Sequence, residues 1–390
     1  MRVRDGIPLA GLIDQAGRVA AVVSKVRGAM LAPESRKTAP TFTTGQVMAL
    51  TGLEKGALEY RIRRGEIPAG TVTPTGARRL FTLAEMRQCA RWARGARLRP
   101  AGAQALSIAV ANFKGGVAKT TTALTLAQGL SLRGHRVLVV DCDPQGSLTT
   151  LFGILPDTEV QEDDTILPLA TGAQSSIRYA IRPTYWDGID LVAAAPSLFG
   201  AEFALASRQG RRGGPEFWRV LDAGLDEVRA EYDVILIDTP PALGYVTINA
   251  LMAADGLLMP LPPNQLDFAS SAQFWRLFAD LAHQVTGAAG QKQFAFIDVL
   301  ASRVDGNDAS AAVVREWMGA AYGERLLQVE IPKSAAAAAT AVEFGTVYDG
   351  GGGSGRATLK RALDAFERLA DVIEDQAGAY WRKQQQGGAQ

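Results

Sequence analysis

The stretch from Ser107 to Leu130, SIAVANFKGGVAKTTTALTLAQGL, decides how this chain folds. It opens with a short apolar segment, Ser107 to Ala111. It then passes through a glycine turn and enters an apolar run at helical spacing: Ala123, Leu124, Leu126, Ala127 and Leu130. Strand, glycine turn, helix is the context in which a phosphate-binding loop is physically sensible. Backbone N–H groups of such a turn and the positive end of the helix dipole together form an anion site. The expected nucleotide cradle is Lys114, Gly115, Gly116, Val117, Ala118, Lys119, Thr120 and Thr121. Lys119 is placed to meet β- and γ-phosphates, and the Thr120 hydroxyl to hold Mg²⁺.

The loop departs from the pattern G-x-x-x-x-G-K-[ST]. Phe113 stands where the first glycine belongs, Ala118 stands where the last belongs, and a second lysine, Lys114, precedes Lys119. This KGGxxK[ST] form resembles the deviant Walker A box of the ParA/MinD family of ATPases. The resemblance implies that Lys114 reaches across a nucleotide-sandwich homodimer to the partner's phosphates and takes part in catalysis. If position 118 requires a positive φ, alanine there costs about 1 kcal/mol.

The 390 residues are 47% hydrophobic, enough for a sizeable core and two domains. No apolar run approaches a membrane span, and the start, MRVRDGIPLAG, lacks a signal-peptide core. Cys89 and Cys142 form no metal or disulfide pattern, which suits the cytosol. Net charge is +1 but unevenly divided. Residues 1–104 carry 18 basic and 7 acidic side chains (+11), and the remainder 23 basic and 33 acidic (−10). That asymmetry points to a nucleic-acid-binding segment joined to something else.

Residues 9–30 place Leu9, Leu12, Ile13, Ala16, Val19, Ala20, Val23 and Val26 on one helical face, closed by Pro33 and Pro40. The stripe fits either a dimerisation helix or one packed on its own domain. Thr43 with Gln46 makes a capping box for a helix through Leu50. Thr51-Gly52-Leu53 is a tight turn, and a second helix runs from Glu54 to Arg64, ending at Gly65. A short hairpin is expected between Gly70 and Phe81, then a second capping box, Thr82 with Glu85, and a helix bearing Arg87, Arg91 and Arg94. Gly76, Arg78, Arg79, Phe81 and Thr82 carry a resemblance to the MerR-like winged helix-turn-helix. The expected DNA contacts are Lys55, Arg61, Arg63 and Arg64 on the second helix and Arg78 and Arg79 on the wing.

Beyond the phosphate loop, Val137–Val140 is a continuous apolar run ending in Asp141-Cys142-Asp143-Pro144-Gln145-Gly146. Such a run suits a parallel strand buried on both faces, with its carboxylates at the end where open α/β sheets bind ligands. D-x-D-P-Q-G resembles the family's first switch. The resemblance makes Asp143 the residue that orients or activates water and Asp141 a support for Mg²⁺ and its loop. Val234–Ile237 followed by Asp238 reads as a Walker B strand, with Asp238 acting on Mg²⁺ through coordinated water. Gly244–Ala254 resembles the second switch and its helix. Further strands are expected at 256–261, 294–300 and 327–331, with helices at 268–285 and 309–322. Ile331–Ser334 and Ala341–Asp349 resemble text in the larger plasmid partition ATPases, and adenine contacts are expected near Arg303 and Pro332-Lys333. Residues 350–355 are a glycine-rich loop. Residues 357–376 form a helix, and Arg356, Lys360 and Arg361 near its start are candidates for non-specific DNA contacts.

These readings define an α/β chain with a doubly wound, mostly parallel sheet (a P-loop NTPase) behind a small winged helix-turn-helix. The expected boundaries are 1–40, 41–97, a linker at 98–105, an ATPase domain at 106–376 and a disordered tail at 377–390. The function implied by the resemblance is an ATP-hydrolysing DNA partition protein with ATP/ADP and Mg²⁺ as cofactors. It works as a homodimer, is cytoplasmic and nucleoid-associated, and is stimulated by a ParB-like centromere-binding partner. The alternatives are a sequence-specific repressor with a nucleotide switch, or an ATPase positioning some cargo other than a plasmid. A MinD-like membrane cycle fits poorly, because Ala370 to Asp375 is too acidic for an anionic bilayer.

Overall fold

The structure is a computed structural model describing residues 8–30, 37–74, 76, 78–209, 216–286, 292–333, 345–349 and 356–387. Pro33, the hairpin tip at Thr75 and Ala77, residues 341–344, the glycine-rich 350–355 and the last three residues lie outside these. So do the side chains of residues 24, 26–30, 285, 286 and 356. The chain divides into two units, residues 1–38 and 39–390. The first contains helix α1 (Leu9–Met30), whose Leu9, Leu12, Ile13, Val19 and Val22 are exposed.

The second unit begins with β1 (Phe42–Thr43), α2 (Thr44–Thr51) and α3 (Lys55–Arg63). Both capping-box bonds at Thr43 and Gln46 form, and Gly52 turns the chain at φ 70°. β2 (Thr71–Val72) and β3 (Arg79–Phe81) pair antiparallel, and β1 joins β3 to complete a three-stranded sheet. α4 (Leu83–Ala93) follows, capped by Thr82 and Glu85.

Then come β4 (Leu106–Val110), α5 (Lys119–Leu132), β5 (Val137–Asp141), α6 (Ser147–Leu151), α7 (Leu167–Thr171), β6 (Arg182–Pro183) and β7 (Ile189–Val192). α8 (Phe199–Ser207), α9 (Val220–Leu225), β8 (Val234–Asp238), α10 (Tyr245–Ala253), β9 (Gly256–Leu261) and α11 (Gln265–Thr286) continue the alternation. The chain ends with β10 (Phe296–Val304), α12 (Ala309–Tyr322), β11 (Leu326–Pro332) and α13 (Arg356–Gly387). The eight-stranded sheet has the order β11-β10-β9-β4-β8-β5-β7-β6, and only the edge pair β6–β7 is antiparallel. β4, β5 and β8 are buried at every position; the apolar runs of β5 and β8 require it, and in β4 the buried Ser107 hydroxyl donates to the Ala253 carbonyl at 2.9 Å.

Two expectations are corrected. The linker expected at 98–105 is tied down, because Arg99 pairs with Asp233 at 3.2 Å and Ala103 and Ala105 are buried. The tail expected to be disordered from residue 377 is instead the last part of α13. Ala377 and Trp381 sit in the core, and the Gln384 side chain accepts the Gln104 N–H at 2.8 Å. The glutamine-rich composition concealed one buried face of an amphipathic helix. Residues 42–90 share a hydrophobic core with α5 and α13, so the front module packs into the body.

Candidate nucleotide site

Strand register assembles the site. Val110 of β4 and Asp141 of β5 both pair with Asp238 of β8, so three loops leave the sheet side by side at its carboxyl edge. That is where open α/β sheets take ligands.

The loop between β4 and α5 turns through Gly116 at φ 75° and Ala118 at φ 74°. The expected strain at Ala118 is therefore present. Lys119 is buried, and its Nζ donates to the Lys114 carbonyl at 3.1 Å. Burial lowers its pKa, against the pull of Asp238 and Asp143. Thr120 and Thr121 follow in the first turn of α5.

Side chains from distant parts of the chain brace the loop. Buried Asn112 donates through Nδ2 to the Pro260 carbonyl at 2.9 Å and accepts the Lys114 N–H at 3.0 Å. The Ser302 hydroxyl donates to the Val117 carbonyl at 3.0 Å, and Arg303, itself at φ 53°, donates to the Gly116 carbonyl. Phe113, in place of the missing glycine, packs its ring 4.2 Å from Phe274 of α11. The Lys114 ammonium forms an ion pair with Asp267 of the same chain.

The carboxylates divide by environment. Asp141 is fully buried and fully engaged. It accepts the Thr149 N–H at 2.9 Å, the Thr149 hydroxyl at 2.7 Å and the Asp143 N–H at 3.1 Å. Burial pushes its carboxyl up to about 7. Asp143 is half-exposed and accepts the Gln145 N–H at 3.0 Å. Asp238 is fully buried, and no well-aligned donor reaches either carboxylate oxygen; only the Thr120 hydroxyl lies close enough to pull its pKa down. Burial, then the neighbouring Asp141, pushes it up to about 8. A buried carboxylate without donors is costly unless a cation or its water meets it. The residues present therefore fit Mg²⁺, with Asp238 and the Thr120 hydroxyl to hold it.

Beside the loop lies a cleft of about 240 Å³ lined by Pro262, Asn264, Asp267, Arg303, Asp305 and Lys333 among others. It brings together Arg303 and Lys333, where adenine contacts were expected. Asn112, Asp267 and Ser302 were not read from the sequence. Asn112 lies two residues past the end of β4 and was legible in principle, whereas nothing local marks the other two.

The remaining sequence-predicted residues lie away from this edge. Lys55, Arg63 and Arg64 are exposed on α3, as is Arg78 beside β3, and Arg79 is half-buried. Arg61 pairs with Glu66 at 2.7 Å and lies over the Trp92 ring at 4.7 Å, and Arg64 shares Glu66 at 3.0 Å. Lys360 and Arg361 are exposed on α13, whose first residue is Arg356. Among the described residues no helix is long and apolar enough to cross a membrane.

Comparison with known proteins agrees with this geometry. Residues 105–288 match the family described as AAA domain. The putative replication protein A of Rhizobium rhizogenes is 31% identical over 365 residues, covering 90% of this chain and 89% of that protein. The chromosome-partitioning ATPase Soj of Thermus thermophilus is 33% identical, covering 68% of this chain and 94% of Soj. A solved structure titled partition protein shares the fold at a TM-score of 0.62 and 19% identity, over 94% of this chain and 98% of its own. With a deviant phosphate loop, paired carboxylate loops and a 33% identity to Soj that spans 68% of this chain and 94% of Soj, the chain belongs to the ParA-type partition ATPases.

Proposed function

We propose that this protein hydrolyses ATP to drive DNA partition. The observation that carries the reading is the buried Asp238 carboxylate, without a well-aligned donor and beside Thr120 and Lys119 at the mouth of the phosphate loop. ATP would seat its β- and γ-phosphates against the loop N–H groups and Lys119, with its base toward Arg303 and Lys333. Mg²⁺, held by Thr120 and Asp238, would supply charge neutralisation between the phosphates. Asp143 orients the attacking water. Asp141, whose oxygens are all taken by Thr149 and Asp143, tethers that loop; this geometry favours a tether over a metal-holding role.

Lys114 serves in a homodimer closed face to face around the nucleotide, where it meets charge developing on the partner's phosphoryl group. The ATP-bound dimer then holds DNA non-specifically, through Lys360, Arg361 and Arg356. A ParB-like centromere-binding protein stimulates its slow hydrolysis. Residues 41–97 read operator DNA for autorepression through Lys55, Arg61, Arg63, Arg64, Arg78 and Arg79; the helix–turn–helix and wing of this module support that role. These activities place the protein on the nucleoid, in the cytoplasm. A sequence-specific repressor with a nucleotide switch, and an ATPase positioning another cargo, share the same site.

Phosphate release by the full chain, measured with and without DNA and Mg²⁺, tests the reading. Wild type should turn over slowly and Lys119→Ala not at all. A folded wild-type protein that neither binds nor hydrolyses ATP would overturn it. DNA binding with ATP and with ADP across a salt series separates partition from repression alone.

A further inference from the structure

The arginines of α4 continue the basic pattern of α3 in sequence, but the structure turns Arg87 inward and leaves Arg91 exposed at the rim of the same contact. Arg87 is buried. Its Nε donates to the Ser131 carbonyl at 3.1 Å, its Nη2 to the His135 carbonyl at 2.9 Å, and its Nη1 pairs with Asp187. Arg91 donates to the Gly134 carbonyl at 2.5 Å. Ser131, Gly134 and His135 belong to the last turn of α5 and the bend after it. A helix leaves its last carbonyls without donors and carries partial negative charge there. The Ser131 carbonyl already accepts the Gly134 N–H at 2.8 Å, and the two guanidiniums add charge-assisted bonds to it and to the bend that follows.

The contact is closely built. A Cβ at Gly188 would collide with the Arg87 guanidinium, and one at Gly134 would stand 2.7 Å from Arg91 Cγ. A second contact holds the same module further along α4, where Arg94 pairs with Glu374 of α13 and Arg97 reaches it at 2.9 Å.

One helix thus has the phosphate loop at its first residue, Lys119, and the module's arginines at its far end, about 21 Å away. α5 is buried along nearly its whole length, so it shifts as a rod. Hydrogen bonds weaken steeply with misalignment. Any re-seating of α5 by bound phosphates therefore reaches Arg87 and Arg91 directly.

We propose that Arg87 and Arg91 are positioning residues that couple the nucleotide site to DNA reading by residues 41–97 through α5. The inference rests on the DNA-reading role proposed above. Linkage requires the coupling to be reciprocal, with operator DNA changing nucleotide affinity by the factor through which nucleotide changes DNA affinity.

The test uses the full chain and a labelled duplex from upstream of its own coding sequence, with a random duplex as control. Anisotropy would be read without nucleotide, with ADP and with ATP. Wild-type affinity for the upstream duplex should shift by about 5-fold or more between nucleotide states. Arg87→Gln and the more peripheral Arg91→Gln should shrink that factor while ATP affinity stays within about 2-fold, and Arg87→Lys should restore part of it. A merely structural role would lower stability without removing the nucleotide-dependent factor. Folded Gln variants that keep the full factor, or a wild type that binds the upstream duplex with no nucleotide effect, would overturn the coupling alone. A wild type with no preference for the upstream duplex would overturn the DNA-reading role as well.

Discussion

Lys114 and Ala118 are the two residues at which this loop departs most from a standard phosphate loop. Lys114 is paired with Asp267 in its own chain, so serving a second subunit requires that pair to open. Lys114→Ala should lower ATP turnover by roughly 100-fold, the scale of losing one preorganised donor to transition-state charge. Its ATP affinity should change only a few-fold, as calorimetry can check; complete loss of binding would contradict the role across a dimer. Ala118, at φ 74°, pays a steric penalty that glycine would not. Ala118→Gly should raise stability by up to about 1 kcal/mol in urea unfolding, with ATP binding retained. Both departures were visible in sequence, because a residue's position in a motif is local information. Asp267 was not, since only the packing of α11 against the loop brings it there.

Capping boxes at Thr43 and Thr82 and the mainly apolar runs of β4, β5 and β8 specified those elements from short stretches of chain. β9 and α12 also fall where the residue pattern placed them, at 256–261 and 309–322. α13 was misjudged at its end. Leu369, Ile373, Ala377 and Trp381 form one buried stripe, and Trp381 packs near His135 with ring centroids 5.9 Å apart. Trp381→Ala should therefore cost about 3–5 kcal/mol in denaturant unfolding. A disordered tail would show no loss. The edge strand β6 and its neighbour β7 were missed because two- and four-residue strands carry too few positions for a periodicity to register.

Across the whole molecule, the module, the sheet and α13 meet at one buried ionic junction. His135 Nε2 lies 3.1 Å from Glu374, and its Nδ1 lies 3.7 Å from Asp233. Burial opposes charge on His135, but the two carboxylates outweigh it and raise its pKa above 6.5. Glu374, despite burial, is held down to about 2 by His135, Arg94 and Arg97. The histidine's contribution is complete below pH 6.5 and is lost as pH rises through its raised folded value. That of Glu374 is complete above pH 4.5 and is lost as pH falls toward 2. Thermal melts should show His135→Gln removing an alkaline fall in stability that wild type displays. In the separate first unit, α1 repeats apolar residues at 9, 16 and 23 and again at 12 and 19, a heptad spacing suited to pairing with a second copy. Deleting residues 1–38 should weaken nucleotide-free self-association in sedimentation; an unchanged dimer would exclude that role.

The sequence by itself determined the phosphate loop, the two carboxylate-bearing strand ends and the alternation that makes a parallel sheet. Each of these is written in contiguous residues whose spacing is their physical cause. Tertiary structure alone decided that Asp141 spends its oxygens on Thr149 while Asp238 has only the Thr120 hydroxyl beside it, that Lys114 meets Asp267, and that Arg87 and Arg91 bond the carbonyls at the end of α5 and in the bend after it. A side chain's partner depends on which elements pack beside it, and no local pattern of residues carries that information.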